Sequence, residues 1–175
     1  ILIAMTAGAY LAFLTASPVI MSELYGVSPE AFGPLFSASA LAFLLGATFS
    51  RLYVRKMGMI KIIRIGVVCL LISALLFTSI LAADGMSVFW FWFCAAFYMA
   101  GFGVLGPSAT SIALDPVPEM AGRAAAILGT VQLLTGMLFS LLAALLYDGS
   151  MNILVTLIIV SSISTAWIAF SYKHQ

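Results

Sequence analysis

"GFGVLGPSATSIALDPVPEMAG", residues 101–122, interrupts a chain that is otherwise almost continuously apolar. It holds four glycines, three prolines and two acids, and Arg123 follows at once. Around it the chain is 64% hydrophobic and only 7% charged, whereas soluble domains are about 45–50% apolar and about 25% charged. A soluble fold of 175 residues could not hide that much apolar surface. The solvent is therefore lipid, and the polar stretch is a connection between buried segments.

A bilayer takes about 20 mainly apolar residues to cross as helix, and open sheet edges cannot face hydrocarbon. Six runs qualify, at roughly 1–22, 32–53, 62–83, 88–111, 120–146 and 152–172. Turn chemistry separates them, in "ELYGVSPEA", "VRKMGMIK", "DGMS", "DPVPEMAGR" and "YDGSM". No run alternates as a barrel strand of about 10 residues would. The sequence predicts an all-α polytopic membrane protein with six transmembrane helices. The chain opens at Ile1 inside an apolar run, without a basic flank; this reads as a partial chain and not as a signal peptide.

Charge orients the helices. Arg51, Arg55, Lys56, Lys61 and Arg64 flank the second connection, Arg123 the fourth, and Lys173 the tail. Threading six spans puts all of them on one face, opposite Glu23, Glu30, Asp84 and Asp148. The positive-inside rule then predicts that both termini are cytoplasmic.

The sequence also repeats. A shift of 89 residues carries Pro18 onto Pro107, Pro29 onto Pro118, Glu30 onto Glu119 and Gly33 onto Gly122. Phe13 falls on Phe102 and Ser22 on Ser111 at the same shift. Three spans lie within that interval, so the second copy enters from the opposite face. The prediction is an inverted 3+3 repeat, residues 1–87 and 88–175, a plan known from several carriers. The opening stretch is then the second copy of one hinge. Gly101, Gly103, Gly106 and Pro107 loosen the fourth helix, as Pro18 does the first. Asp115 is expected to cap the next helix, with Pro116, Pro118 and Glu119 in its first turn. Ser28, Pro29 and Glu30 do the same in the first copy.

Residues 101–136, "GFGVLGPSATSIALDPVPEMAGRAAAILGTVQLLTG", resemble the tenth-to-eleventh helix region of drug:proton antiporters of the major facilitator superfamily. The nearest likeness is the bicyclomycin-resistance (Bcr/CflA) branch. "AYLAFLTASPVIMSELYGVSPEAFG", residues 9–33, resembles its seventh helix and following loop, and "GATFSRLYVRKMGMIKIIRIG" the basic connection after its eighth. The resemblance implies the C-terminal half of a twelve-helix secondary transporter, one that exports amphipathic or apolar compounds by proton antiport with alternating access. It also implies a missing N-terminal six-helix half, a proton as co-substrate and a bacterial inner-membrane location. Ser50 stands where the fuller signature of that basic connection has an acid.

The residues themselves limit the chemistry. One histidine, His174, cannot build a catalytic cluster, and Cys69 and Cys94 have no metal-ligand spacing. No enzyme, metal, cofactor or nucleic-acid role is predicted. No carboxylate, lysine or arginine stands at the centre of a span, and such charges mark ion paths, so proton coupling is expected in the absent half. Segments 1–22 and 88–111 carry Tyr10, Phe13, Phe97, Tyr98, Met99 and Phe102, which suit varied apolar ligands. Tyr10, Phe13, Tyr98 and Phe102 are taken as substrate-binding residues, against the alternative of ordinary packing; Trp90 and Trp92 read as an interfacial belt. Gln132 is either a substrate hydrogen-bond group or an interhelical tie. Pro18, Gly103, Gly106 and Pro107 are candidate hinges. Arg51 and Arg55 set topology and are candidate gating residues. The series Gly122, Ala126, Gly129 and Gly136, with Ser39 and Gly46, reads as close helix packing. Two other classes remain: a self-contained six-helix carrier or channel subunit acting as a homodimer, and a structural membrane subunit that transports nothing.

Overall fold

The computed structural model describes residues 1–82 and 87–171. Each apolar run forms one helix: α1 Leu2–Tyr25, α2 Pro29–Met57, α3 Met59–Ala82, α4 Val88–Leu114, α5 Ala121–Leu145 and α6 Asn152–Ser171. At 20 to 29 residues each, all six are long and apolar enough to cross a membrane. Among the described residues there is no strand. Residues 84–86 of "DGMS" and the tail with Lys173 and His174 lie outside the described residues.

The helix ends follow local chemistry. At the end of α1, Gly26 is left-handed (φ 62°), and its N–H and that of Val27 both donate to the Met21 carbonyl. Ser28 stands before α2, with Pro29 first in the helix and Glu30 in its first turn. α2 does not stop near residue 53. It continues through Arg51, Arg55 and Lys56 to Met57, because nothing before Gly58 breaks a helix and cations favour its C-terminal turn. Gly58 alone (φ 82°) makes the corner into α3.

The start of α5 also departs from expectation. α4 passes through Gly106 and Pro107 without interruption to Leu114, and Asp115 keeps helical angles (φ −54°, ψ −41°) with its N–H donating to the Ser111 carbonyl. Asp115 therefore closes α4 and does not cap α5. A 3₁₀ turn, Pro118–Met120, intervenes, and α5 begins at Ala121 without a side-chain cap.

Four helices close a ring: α1 packs on α4, α4 on α3, α3 on α6, and α6 on α1. α5 lies against the outside of α1 and α2 against the outside of α4. Small residues let the backbones meet. A Cβ on Gly46 would strike the Ala100 carbonyl of α4, and one on Gly103 the Phe43 carbonyl of α2. Gly66 and Gly101 bring α3 onto α4, with a Gly66 Cβ 2.8 Å from the Gly101 carbonyl oxygen. On the other flank, Gly136 of α5 receives Leu11 of α1. Gly122 and Gly129 differ: among the described residues nothing lies within 4 Å of a Cβ at either, because that side of α5 meets no other described helix.

Inside the ring, some of the buried polar groups find partners in place of water. The Tyr98 hydroxyl donates to the Thr6 carbonyl at 3.0 Å and lies 3.2 Å from Ser161 Oγ, which itself donates to the Met5 carbonyl. Thr6 and Thr165 hydroxyls meet at 3.3 Å. These contacts tie α1, α4 and α6 together. Ser73 Oγ donates to the Cys94 carbonyl across α3 and α4, and Cys94 itself is buried.

Candidate functional site

Where α1, α2 and α4 meet, their side chains leave a cavity of about 330 Å³. α1 contributes Tyr10 and α4 contributes Met99 and Phe102. From α2 come Phe36, Ala40, Phe43 and Leu44, which recur at helical spacing on one side of that helix. Phe102 organises the wall. Its ring meets Phe43 edge-on at 5.5 Å between centroids and Tyr10 at 5.9 Å, tilted by 50°. Such offset and edge-on contacts are the favoured aromatic geometries. The aromatic lining continues outward through Phe36, stacked on Phe32, which meets Trp92 edge-on at 5.4 Å. A smaller pocket of about 140 Å³ follows, bounded by Pro18, Met21, Val27 and Phe32.

Of the residues chosen from sequence, Tyr10 and Phe102 come together at this cavity. Phe13 and Tyr98 turn into the core, each 3% exposed. Phe13 stacks on Phe91 at 5.8 Å and meets Trp92 edge-on, while the Tyr98 hydroxyl finds its partners on α1 and α6. The physical reason is the closed ring: α4 packs on α1, α2 and α3 at once, so Tyr98 is buried along with Phe91 and Trp92, and Phe102 is left to line the cavity. Gln132 is half-buried on α5, one turn before the Gly136 contact with α1, and does not border the cavity.

The hinge candidates separate likewise. Gly103 sits at the tight α2–α4 crossing. Gly106 and the exposed Pro107 follow just after Phe102, where a Gly106 Cβ would meet only the Phe102 ring, at 3.8 Å. Pro18 borders the smaller pocket on α1. Arg51 and Arg55 are exposed in the last turns of α2, away from the cavity. Phe36, Ala40, Phe43 and Leu44 were missed in the sequence. Their signal was the i, i+4, i+11 spacing of Phe32, Phe36 and Phe43, masked by the apolar composition.

A second space of about 360 Å³ opens toward the other end, among Ile3, Ile63, Ile112, Leu128 and Ile168. Among the described residues its side chains are aliphatic throughout. At the opposite end of the bundle, Tyr147 donates to Glu23 Oε2 at 2.7 Å and so links α1 to the connection after α5. Burial, then the bond to Glu23 and the charges of Glu23 and Asp148, push the Tyr147 phenol up to about 12. Asp148 is held below the usual carboxylate range, chiefly by the Ser150 hydroxyl.

Residues 1–140 match the family profile described as Major Facilitator Superfamily. Three curated proteins are similar. "Multidrug resistance protein D" of Escherichia coli is 33% identical over 149 residues, covering 83% of this chain and 37% of its own length. "Bicyclomycin resistance protein homolog" of Haemophilus influenzae is 28% identical over 156 residues, 86% of this chain and 38% of that protein. "Uncharacterized MFS-type transporter YdgK" of Bacillus subtilis is 26% identical over 139 residues, 76% of this chain and 33% of that protein. The chain thus spans less than two fifths of the length of these relatives. No solved structure matches it significantly.

Proposed function

Because the chain belongs to the major facilitator superfamily and is an integral membrane protein built for transport, we propose that it forms the C-terminal six-helix half of a multidrug:proton antiporter. The observation that carries this reading is the aromatic cavity on Tyr10, Phe43 and Phe102. Flat rings with few hydrogen-bonding groups accept apolar and amphipathic aromatic compounds of varied shape. The names of two similar proteins, for resistance to bicyclomycin and to multiple drugs, support this substrate class.

α2 and α5 leave most of their surface uncovered by the rest of the chain. We assign that surface to the other six-helix half, across which the cavity alternates between the two sides of a bacterial inner membrane. Among the described residues the acids stand at helix ends and connections, so the proton-coupling carboxylate belongs to the other half. The inverted repeat fits the packing. α1 on α5 and α4 on α2 are counterparts under the 89-residue shift, Leu11 matches Ala100, and their partners Gly136 and Gly46 fall within one residue of equivalence. Both termini are assigned to the cytoplasm from the basic face.

The test is substrate binding to the full-length protein in detergent, followed by tryptophan quenching with an aromatic amphipathic cation. Phe102→Ala and Phe43→Ala should each weaken binding about tenfold, the loss of about 1–1.5 kcal/mol of aromatic contact. Unchanged affinity in both would remove the cavity from the account.

A further inference from the structure

α3 carries an exposed stripe, Lys61, Val68, Ile72 and Leu75, with Arg64 between its first two members. On α6, Val160, Ile163, Trp167 and Phe170 form a second exposed stripe at the same helical spacing. The two helices pack together, and the Arg64 guanidinium lies 5.8 Å over the Phe170 ring. Arg64 Nε is buried there and has no hydrogen-bond partner among the described residues. The two stripes thus flank an apolar surface whose cation-bearing end is Lys61 and Arg64.

Membrane depth makes this placement informative. α3 has 24 residues, about 36 Å of helix, against about 30 Å of hydrocarbon. Arg64 is five residues into the helix, about 7.5 Å along its axis, so its Cα sits about 4 Å inside the hydrocarbon edge. A cation there must reach up to a headgroup or find an anion. The acids on this side, Asp115 and Glu119, stand on the α4–α5 connection and not on this stripe. A guanidinium that stacks on an aromatic ring still has in-plane N–H groups for a bidentate anion. A lipid phosphodiester lies just outside the hydrocarbon edge, within reach of an arginine side chain extended toward it, and its acyl chains would lie along Val68, Ile72 and Leu75 on one side and Ile163 and Trp167 on the other.

We propose that the α3–α6 surface binds an anionic phospholipid from the leaflet on the side of the α2–α3 connection, with Arg64 and Lys61 holding its phosphate. Basic sites between transmembrane helices have this chemistry. The proposal does not rest on the transport reading.

The experiment is native mass spectrometry of the full-length protein with phosphatidylglycerol titrated in, alongside phosphatidylcholine and inorganic phosphate. A saturable phosphatidylglycerol adduct is expected, stronger than that of phosphatidylcholine and not displaced by millimolar phosphate. Arg64→Leu should weaken it about tenfold. Two milder variants guard against a folding defect: Arg64→Lys keeps the charge but loses the fork, and Phe170→Leu removes the stack; each should weaken the adduct about threefold. Phosphatidylglycerol affinity unchanged in Arg64→Lys and Phe170→Leu would overturn the proposal. Displacement by inorganic phosphate would make the site one for free anions and overturn its assignment to lipid.

Discussion

Tyr98 and Phe102 stand one turn apart on the same helix yet have opposite fates. Tyr98 is a tie-beam, its hydroxyl bonded to the α1 backbone and beside Ser161 of α6; Phe102 is part of a wall. Tyr98→Phe should destabilise the bundle by roughly 0.6–1.5 kcal/mol for one interhelical hydrogen bond, read as a lower melting temperature, and leave substrate affinity as it is. A loss of affinity without a loss of stability would move Tyr98 back among the binding residues. Gln132 separates from both. As it does not border the cavity, Gln132→Leu should spare binding of apolar substrates; a selective loss of polar ones, about tenfold, would instead identify a contact that forms when the second half is present.

The helices were legible because lipid leaves a chain few choices, and the order of polar interruptions fixes six spans. Their ends were less so. Composition marks "VRKMGMIK" as a connection, but cations suit a helix C-terminus, so α2 keeps them and turns only at Gly58. The inner faces were the least legible part. In a segment such as 88–111 every side is apolar, and periodicity cannot separate a ring that packs on Phe13 from one that lines a space. Small residues were read better as a class than one by one. Gly46 and Gly136 do pack, whereas Gly122 and Gly129 meet nothing among the described residues. Gly46→Leu and Gly103→Leu should therefore part α2 from α4 and destabilise the bundle by about 1–3 kcal/mol or more, read as a lower melting temperature. Gly129→Ala should leave the isolated six helices unaffected, and if α5 faces the other half it should impair only the assembled transporter.

Four helices bury one another in a ring, α2 and α5 leave most of their surface bare, and the chain covers less than two fifths of its relatives' length. The topology has its own test. Single cysteines at Lys56 and Gly85, with Cys69 and Cys94 replaced, should be labelled from opposite sides of the membrane by an impermeant thiol reagent; labelling from one side would break the six-span threading.

As proposed, this chain supplies one half of a proton-driven drug carrier. Proteoliposomes under an imposed proton gradient test it most directly, one set holding the full-length protein and another only residues 1–175, with flux of a fluorescent aromatic cation followed in time. Gradient-dependent flux is expected from the full-length protein, abolished by a protonophore, and none from residues 1–175. Gradient-driven flux from residues 1–175 alone would contradict it and make the self-sufficient six-helix carrier the better description.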